Sequence, residues 1–339
     1  MPTIIHPPSI PFRWMVQRPQ QMFVQFAALG YNCIFCNPAR RESPPSVSRL
    51  SENLIVATKT DPLSIIHPEP RILWLDAPSM VRRINKYRPH MVAYDALDHP
   101  TEEFSEWGPY LPNLRKKADV IFATSRKLYE ENKKEHHNVH LCPNGVDFDH
   151  FSRARHGHLP VPSDVRDKGR PIIGYVGALA SWLDWELIDY ITGVNPQFSF
   201  IFVGPLYNIA PPVEKANLHF LGYRDYRMLP SYIQCFDICL IPFRLTSMTE
   251  GCNPIKMYEY LSAGKPVIST PLPEVAGMGG VLVGRTPEEF NLLMHHALHR
   301  DTEENRNFRV EEAYRNSWRQ RAAVAASIMD LTLREKGLM

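Results

Sequence analysis

The chain has no apolar run near the roughly 20 residues that a membrane-crossing helix requires, so no transmembrane helix is expected. It opens Met1-Pro-Thr-Ile-Ile-His, with no basic segment followed by an apolar one, and so shows no secretory signal. Cysteine is scarce, 6 in 339 residues, which excludes a disulfide scaffold and suits reduced thiols in the cytoplasm, the expected compartment. Cys33-x-x-Cys36 lies in a strand-like run, where alternation sends the two thiols to opposite faces. No second such pair or nearby histidine completes a zinc set, and no metal site is expected. Excess charge of one sign is missing too. Lys and Arg number 38 against 36 Asp and Glu, a net +2, which argues against a nucleic-acid partner. The GxGxxG, GxxxxGKS/T and HExxH patterns are absent, so hydride transfer, P-loop phosphoryl transfer and zinc proteolysis lose their usual signals.

What is present is the balance of a soluble globular protein, 44% apolar and 22% charged, with enough length for two cores. Short β-rich runs alternate with amphipathic helical stretches, which predicts parallel sheets with helical crossovers. In the first half the strands are expected at Thr3–His6, Asn32–Cys36, Leu54–Thr58, Ile72–Leu75, Met91–Tyr94, Val120–Thr124 and Val139–Cys142. The clearest helix begins at Pro19 and stops at Gly30. Residues 152–170 are polar and break the rhythm as a linker would. It restarts with strands at Ile172–Val176, Phe198–Val203, Leu218–Leu221, Ile238–Pro242, Val267–Thr270 and Val281–Val283. The expected fold is α/β, two Rossmann-like domains facing across a cleft. Residues 1–160 form the first domain, 161–315 the second, and 316–339 a terminal helix that folds back on the first or closes the second. Ligands of such sheets bind at the C-terminal ends of their strands. Basic clusters at Arg82–Arg83, Arg115–Lys117 and Lys133–Lys134 read as solvated surface, or as attraction to an anionic membrane leaflet.

Three strand-to-loop junctions hold the candidate chemistry. Gly174-Tyr-Val-Gly177-Ala-Leu179 runs off a strand, and Gly177 would let backbone approach a phosphate. By itself it is also an ordinary tight turn. In Asn253-Pro254-Ile-Lys256-Met-Tyr-Glu259, an Asn-Pro pair opens a helix that Gly264 ends. A cation near a helix N-terminus is unfavourable unless an anion joins it, so Lys256 suits a pyrophosphate, with Glu259 one turn on for a ribose diol. A surface Lys–Glu pair is the plain alternative. In Cys142-Pro-Asn144-Gly-Val-Asp147, Asn-Gly suggests a turn with positive φ, with Asp147 following or simply leaving the strand.

Together these stretches resemble the retaining glycosyltransferases of the large family 4 group, which have a B-type fold of two Rossmann domains. PNGVD at 143–147 is a marker there, and NPIKMYEYLSAGKPVIST at 253–270 is similar to the donor-binding helix of the teichuronic-acid-type branch. Residues 217–243 and 18–38 are similar as well. The resemblance implies a nucleoside-diphosphate sugar as donor, held by Lys256, Gly177, Asn253 and Pro254 at the pyrophosphate and by Glu259 at the ribose. It implies front-face displacement with retention, and no cofactor or bound metal. Two departures stand out. The Arg and Lys usual after the first strand of the second domain are missing from Ala178-Leu-Ala-Ser-Trp-Leu-Asp184, leaving Lys256, helped by Arg244, as replacement. Eight residues, rather than seven, separate Glu250 from Glu259, which weakens a sugar-binding role for Glu250.

The candidate catalytic residues are Lys256, Asp95 and Asp98. Those for the acceptor side are Trp14, Arg18 and His99, with Gln17 beside them, and Asn144 and Asp147 at the exit of the first half. Capping and packing are the competing readings for all of these. The expected acceptor is a glycan or a lipid-linked sugar, with peripheral association at the inner membrane face. A non-catalytic donor-binding subunit, a nucleotide-sugar epimerase and a sugar phosphorylase are the alternatives. The phosphorylase lacks any strong candidate for a cofactor lysine or phosphate site.

Overall fold

The computed structural model describes residues 1–65 and 69–339. They divide into two α/β units, Met1–Asn144 with Trp318–Met339, and Gly145–Ser317.

The first unit is built on eight strands: β1 Thr3–His6, β2 Asn32–Asn37, β3 Ser46–Ser51, β4 Leu54–Thr58, β5 Arg71–Leu75, β6 Met91–Ala96, β7 Val120–Ala123 and β8 Val139–Leu141. Their order is β3-β4-β2-β1-β5-β6-β7-β8, and every pairing is parallel except β3 with β4. Every residue of β1, β6 and β7 is buried, as expected of strands covered on both faces. Cys33 and Cys36 are both buried in β2 for the same reason. The helix Arg18–Ala28 carries Pro19 in its first turn and a capping box from Gln17. Trp318–Glu335 packs against it through the buried stripe Trp318, Ala322, Ala325, Met329 and Leu333. The Tyr31 hydroxyl donates to Asp330 at 2.5 Å and fixes the two together.

The second unit has six parallel strands: β9 Ile172–Val176, β10 Ser199–Val203, β11 Leu218–Gly222, β12 Ile238–Ile241, β13 Val267–Ser269 and β14 Val281–Val283. The order is β11-β10-β9-β12-β13-β14. The chain winds outward from β9 in one direction and then returns to β12, so the strand order reverses between these two. That is the place where open α/β sheets receive ligands.

Three expectations are corrected. The antiparallel strand Ser46–Ser51 was not foreseen. It is exposed along its whole length at the sheet edge, so no apolar alternation marks it. Residues 152–170 are not a linker. Phe151, Ala154 and Val165 are buried in the core of the second unit, and the short helices Ser152–His156 and Ser163–Arg166 carry the polar residues outside. The unit boundary accordingly falls at Asn144/Gly145. Nor does Asn144-Gly145 form a left-handed turn, since neither residue has positive φ. The chain there runs on into a bridge between Val146 and Ser317.

Gly174 lies inside β9, where an added Cβ would stand 2.0 Å from the Phe236 ring. Gly174→Ala is therefore expected to destabilise the protein by about 1–3 kcal/mol through overpacking. Urea denaturation measures it, and an unchanged midpoint would show that Phe236 can move aside.

Candidate active site

β9 delivers its chain to Gly177, and β10 delivers Gly204 beside it. A Cβ on Gly204 would lie 1.8 Å from the Gly177 carbonyl oxygen, so the two turns touch backbone to backbone. A Cβ on Gly177 would meet the Tyr175 hydroxyl at 2.6 Å and Lys256 Cε at 2.8 Å. The Gly177 N–H is already given to the Val203 carbonyl at 2.9 Å. The next N–H, that of Ala178, has no partner among the described residues.

Lys256 reaches this turn from the first turn of the helix Ile255–Ser262. That helix has no side-chain cap and no acidic residue in its first turn, so its positive end is unopposed. The helices starting after Ser125, Asp184, Thr286 and Thr302 are each capped by those side chains. The Lys256 ammonium lies 5.0 Å from the ring centre of Phe243 and 5.6 Å from that of Tyr175. It is part-buried and makes no ion pair or hydrogen bond among the described residues. Loss of solvent lowers its pKa, and Cys252 and Glu259 oppose that shift.

Glu259 is 9% exposed and likewise has no ion-pair or hydrogen-bond partner for its carboxylate. Its pKa is pushed up to about 7 by burial, with Lys256 opposing and Asp147 adding. The two side chains feel each other's field without forming an ion pair, which removes the reading of an ordinary surface Lys–Glu pair. Gly264 ends the segment as expected, with φ of +69°.

The neighbouring candidates differ in kind. Asn253 is buried, accepting from the Tyr258 hydroxyl at 3.1 Å and donating to Glu274 at 3.3 Å, so its amide braces the helix start. Pro254 is the N-cap residue. Arg244 is exposed at the end of β12, its backbone N–H bound to the Trp182 carbonyl at 2.8 Å, and its guanidinium has no partner among the described residues. Glu250 ends the short helix Ser247–Glu250. Asp147 caps the short helix Phe148–Phe151 by accepting from the His150 N–H at 3.3 Å. With Asp149 it forms an Asp-x-Asp triplet, a correction to the expectation that the chain has no such motif. Among the described residues no group of three His, Cys, Asp or Glu side chains could hold a metal ion.

In the first unit the structure separates the candidates. Asp95 and Arg18 do not line an open site. They are 0% and 1% exposed and form a bidentate pair, with Arg18 Nε at 2.8 Å and Nη2 at 2.9 Å from the carboxylate. Burial works against the Arg18 charge, but Asp95 and Cys142 together outweigh it and raise the guanidinium pKa. Arg18 also donates to the Pro143 carbonyl at 3.0 Å and to the Asn144 side chain at 3.4 Å, so it anchors the exit of the unit. Asn144 further accepts from Arg321 at 3.1 Å. His99 is held between Thr101 at 3.0 Å and Glu131 at 3.1 Å. Asp98 is the exception, since its carboxyl has no partner among the described residues and loss of solvent pushes its pKa up to about 6. Trp14 is 45% exposed.

Sequence reasoning missed Tyr175 and Phe243, the rings beneath the lysine, because Tyr175 read as an ordinary strand residue and Phe243 fell just past the end of one. It also missed a buried group where the first sheet's order reverses. There Asp76 lies 3.0 Å from His6 Nε2 and accepts from Ser9 at 3.0 Å, while His6 stacks on Phe35 at 4.1 Å.

Residues 170–299 match the family described as Glycosyl transferases group 1, a segment that contains Gly177, Arg244, Lys256 and Glu259. A protein of Bacillus subtilis strain 168 named as the teichuronic acid biosynthesis glycosyltransferase TuaH is 26% identical over 227 residues, 61% of this chain. The match spans 57% of that relative's length. The fold is similar to sucrose-phosphate synthase from Thermosynechococcus elongatus, with a TM-score of 0.76 at 14% identity over 99% of this chain and 100% of that one. An E. coli trehalose-6-phosphate structure bound with UDP-2-fluoro glucose gives 0.71 at 10% identity, over 98% and 99%. The match to the glycosyltransferase family model thus falls within the second unit, and the fold is one of two Rossmann-like units.

Two outcomes test the electrostatics. Asp95→Asn strands the buried Arg18 charge and is expected to cost about 3–5 kcal/mol in urea denaturation. Full stability with lost activity would return Asp95 to the chemistry. Glu259 keeps its proton in the folded state up to about pH 7, whereas the unfolded chain releases it near 4.5. Stability therefore falls as pH rises from about 4.5 to 7. Glu259→Gln should remove that fall, at most about 3 kcal/mol, and leave stability at pH 4 unchanged. Parallel pH profiles for the two ligand-free proteins would rule this out.

Proposed function

We propose that the chain transfers a sugar from a nucleoside-diphosphate sugar to a hydroxyl acceptor in glycan or polysaccharide biosynthesis. One observation carries the reading. Where the strand order of the second sheet reverses, a part-buried lysine without a partner, an uncapped helix N-terminus and an unbonded N–H stand together. Each lacks negative charge, and a diphosphate supplies it to all three. Glu259, one turn along the helix and equally unpaired, is placed to accept from a ribose diol.

In this reading the reaction proceeds at the front face with retention. Lys256, the helix end and the Ala178 N–H stabilise the charge that grows on the leaving diphosphate, and no strong protein base is needed. Arg244 adds a second cation from β12. Asp98, poised to gain or lose a proton near neutrality, is the first unit's candidate for binding the acceptor hydroxyl. The donor needs no metal bridge in this scheme. The acceptor is a polymer-bound or lipid-linked glycan, a choice supported by the likeness to a teichuronic acid enzyme. Peripheral attachment to the inner membrane face belongs to the same proposal, and no helix among the described residues is long and apolar enough to cross a membrane.

A thermal-shift panel of UDP, GDP, ADP, TDP and CMP with their sugars tests the donor site. At 100 times its dissociation constant the right nucleotide adds roughly 2.7 kcal/mol of stability. Lys256→Ala should weaken nucleoside-diphosphate binding by about 1.5–3 kcal/mol, whereas Glu259→Ala should weaken the nucleotide sugar and spare inorganic pyrophosphate. No shift with any nucleotide would overturn the proposal. Binding without transfer or donor hydrolysis would make the chain a donor-binding subunit.

A further inference from the structure

The loop after β9 lacks the cations expected there and holds a tryptophan, Trp182, and the loop after β10 adds Tyr207. Trp182 and Tyr207 form a tilted ring pair, 5.7 Å between centres and 39° between planes. Tyr207 is 43% exposed and Leu206 beside it 52%. Such exposure of large apolar side chains at a sheet's ligand-binding edge marks a surface that something covers.

The backbone beneath the pair is held firmly. Tyr207 donates to the Leu179 carbonyl at 2.8 Å, and Leu179 to Pro205 at 2.9 Å. A parallel bridge joins Leu179 to Leu206, and an antiparallel one joins Leu183 to Phe243. The Arg244 backbone N–H donates to the Trp182 carbonyl at 2.8 Å, so the backbone that carries this exposed cation is tied to the same loop. These ties continue the sheet beyond its strands and fix the rings in position. The platform is also continuous with the diphosphate cradle. The Tyr175 hydroxyl donates to the Ala178 carbonyl of the same loop at 3.0 Å, and Tyr175 lies against both Gly177 and Lys256.

We infer that Trp182 and Tyr207 form a platform for the apolar face of a pyranose ring, with Arg244 at its edge for a hydroxyl or carboxylate of that sugar. A pyranose presents axial C–H groups on one face and hydroxyls around its rim. An aromatic face is electron-rich and matches the C–H side, while a guanidinium matches the rim. Two adjoining rings offer more area than one, and Trp and Tyr supply that area with little rotamer entropy to lose. The sugar comes either from the donor, attached to the diphosphate next door, or from an acceptor glycan. The donor source rests on the function proposed above. The acceptor source does not.

The test uses the full chain with Trp182→Ala, Tyr207→Ala and the conservative Trp182→Phe. Calorimetry measures binding of UDP-glucose, UDP and a maltohexaose probe, with near-ultraviolet circular dichroism as the check on folding. The expected result is a loss of roughly 5- to 20-fold for the alanine variants toward a sugar-bearing ligand, with UDP unaffected and Trp182→Phe largely restored. Loss confined to UDP-glucose identifies the donor sugar, and loss confined to maltohexaose an acceptor. Equal loss for UDP and UDP-glucose, or no loss with any sugar, overturns the platform. Failure of the wild-type protein to bind any nucleotide counts against the proposed function instead and leaves the glycan arm to judge the platform.

Discussion

The edge of the second sheet is shaped by a steric constraint, the direct contact of the turns that follow β9 and β10. With the Gly177 carbonyl where a Gly204 side chain would stand, neither turn can carry a Cβ. The Lys256 stem therefore crosses the Gly177 backbone with nothing between them. Its ammonium comes to rest over Tyr175 and Phe243, rings that attract a cation without occupying any of its hydrogen-bond donors. A carboxylate in the same place would hold the lysine equally well but would neutralise it. Aromatic support keeps the charge and all three donors available.

The two units treat buried charge in opposite ways. In the first, Arg18 and Asp95 are fully enclosed and satisfy each other, and the spare Arg18 donors bind the chain at Pro143 and Asn144. That arrangement recovers much of its desolvation cost and behaves as structure. In the second, Lys256 and Glu259 share a helix face and do not meet. Desolvation moves both toward neutrality, the lysine downward and the glutamate up to about 7. Groups left in that condition destabilise the ligand-free fold, and a ligand bearing both phosphate and hydroxyl groups restores what each lacks. Perturbed groups of this kind gather at functional sites more often than elsewhere.

Much of the architecture was legible because parallel strands buried on both faces give continuous apolar runs that stand out from amphipathic helices. β1, β4, β9 and β14 fall on the expected residues. The failures have physical causes. Ser46–Ser51 pairs through backbone alone at an exposed edge, so side-chain pattern cannot reveal it. In residues 152–170, few apolar side chains do the packing, and composition hides them among charges. The Lys256–Glu259 face was readable because helical spacing fixes which residues share a side. Whether Asp95 was free or paired was not readable, since its partner stands 77 positions away and only the sheet brings them together. Tyr175 and Phe243 were hidden for a related reason. Apolar residues near a strand's end look alike whether they close a core or support a ligand.

The missing cations of the 178–184 loop redistribute the electrostatic work. A loop carrying Arg and Lys would surround the diphosphate with mobile charges. In the proposed site the charge would come from one lysine held against two rings, a helix end worth about half a unit charge, and an exposed Arg244 tied through its backbone to Trp182. Fixed dipoles and a clamped cation need little reorganisation as the leaving group gains charge, which is where electrostatic catalysis gains most. The loop itself would then be spared phosphate contacts, which leaves Trp182 for the sugar platform inferred above. Under the proposed function, grip on the diphosphate would be concentrated at Lys256, and donor affinity would depend on a single ammonium more heavily than in a site with three.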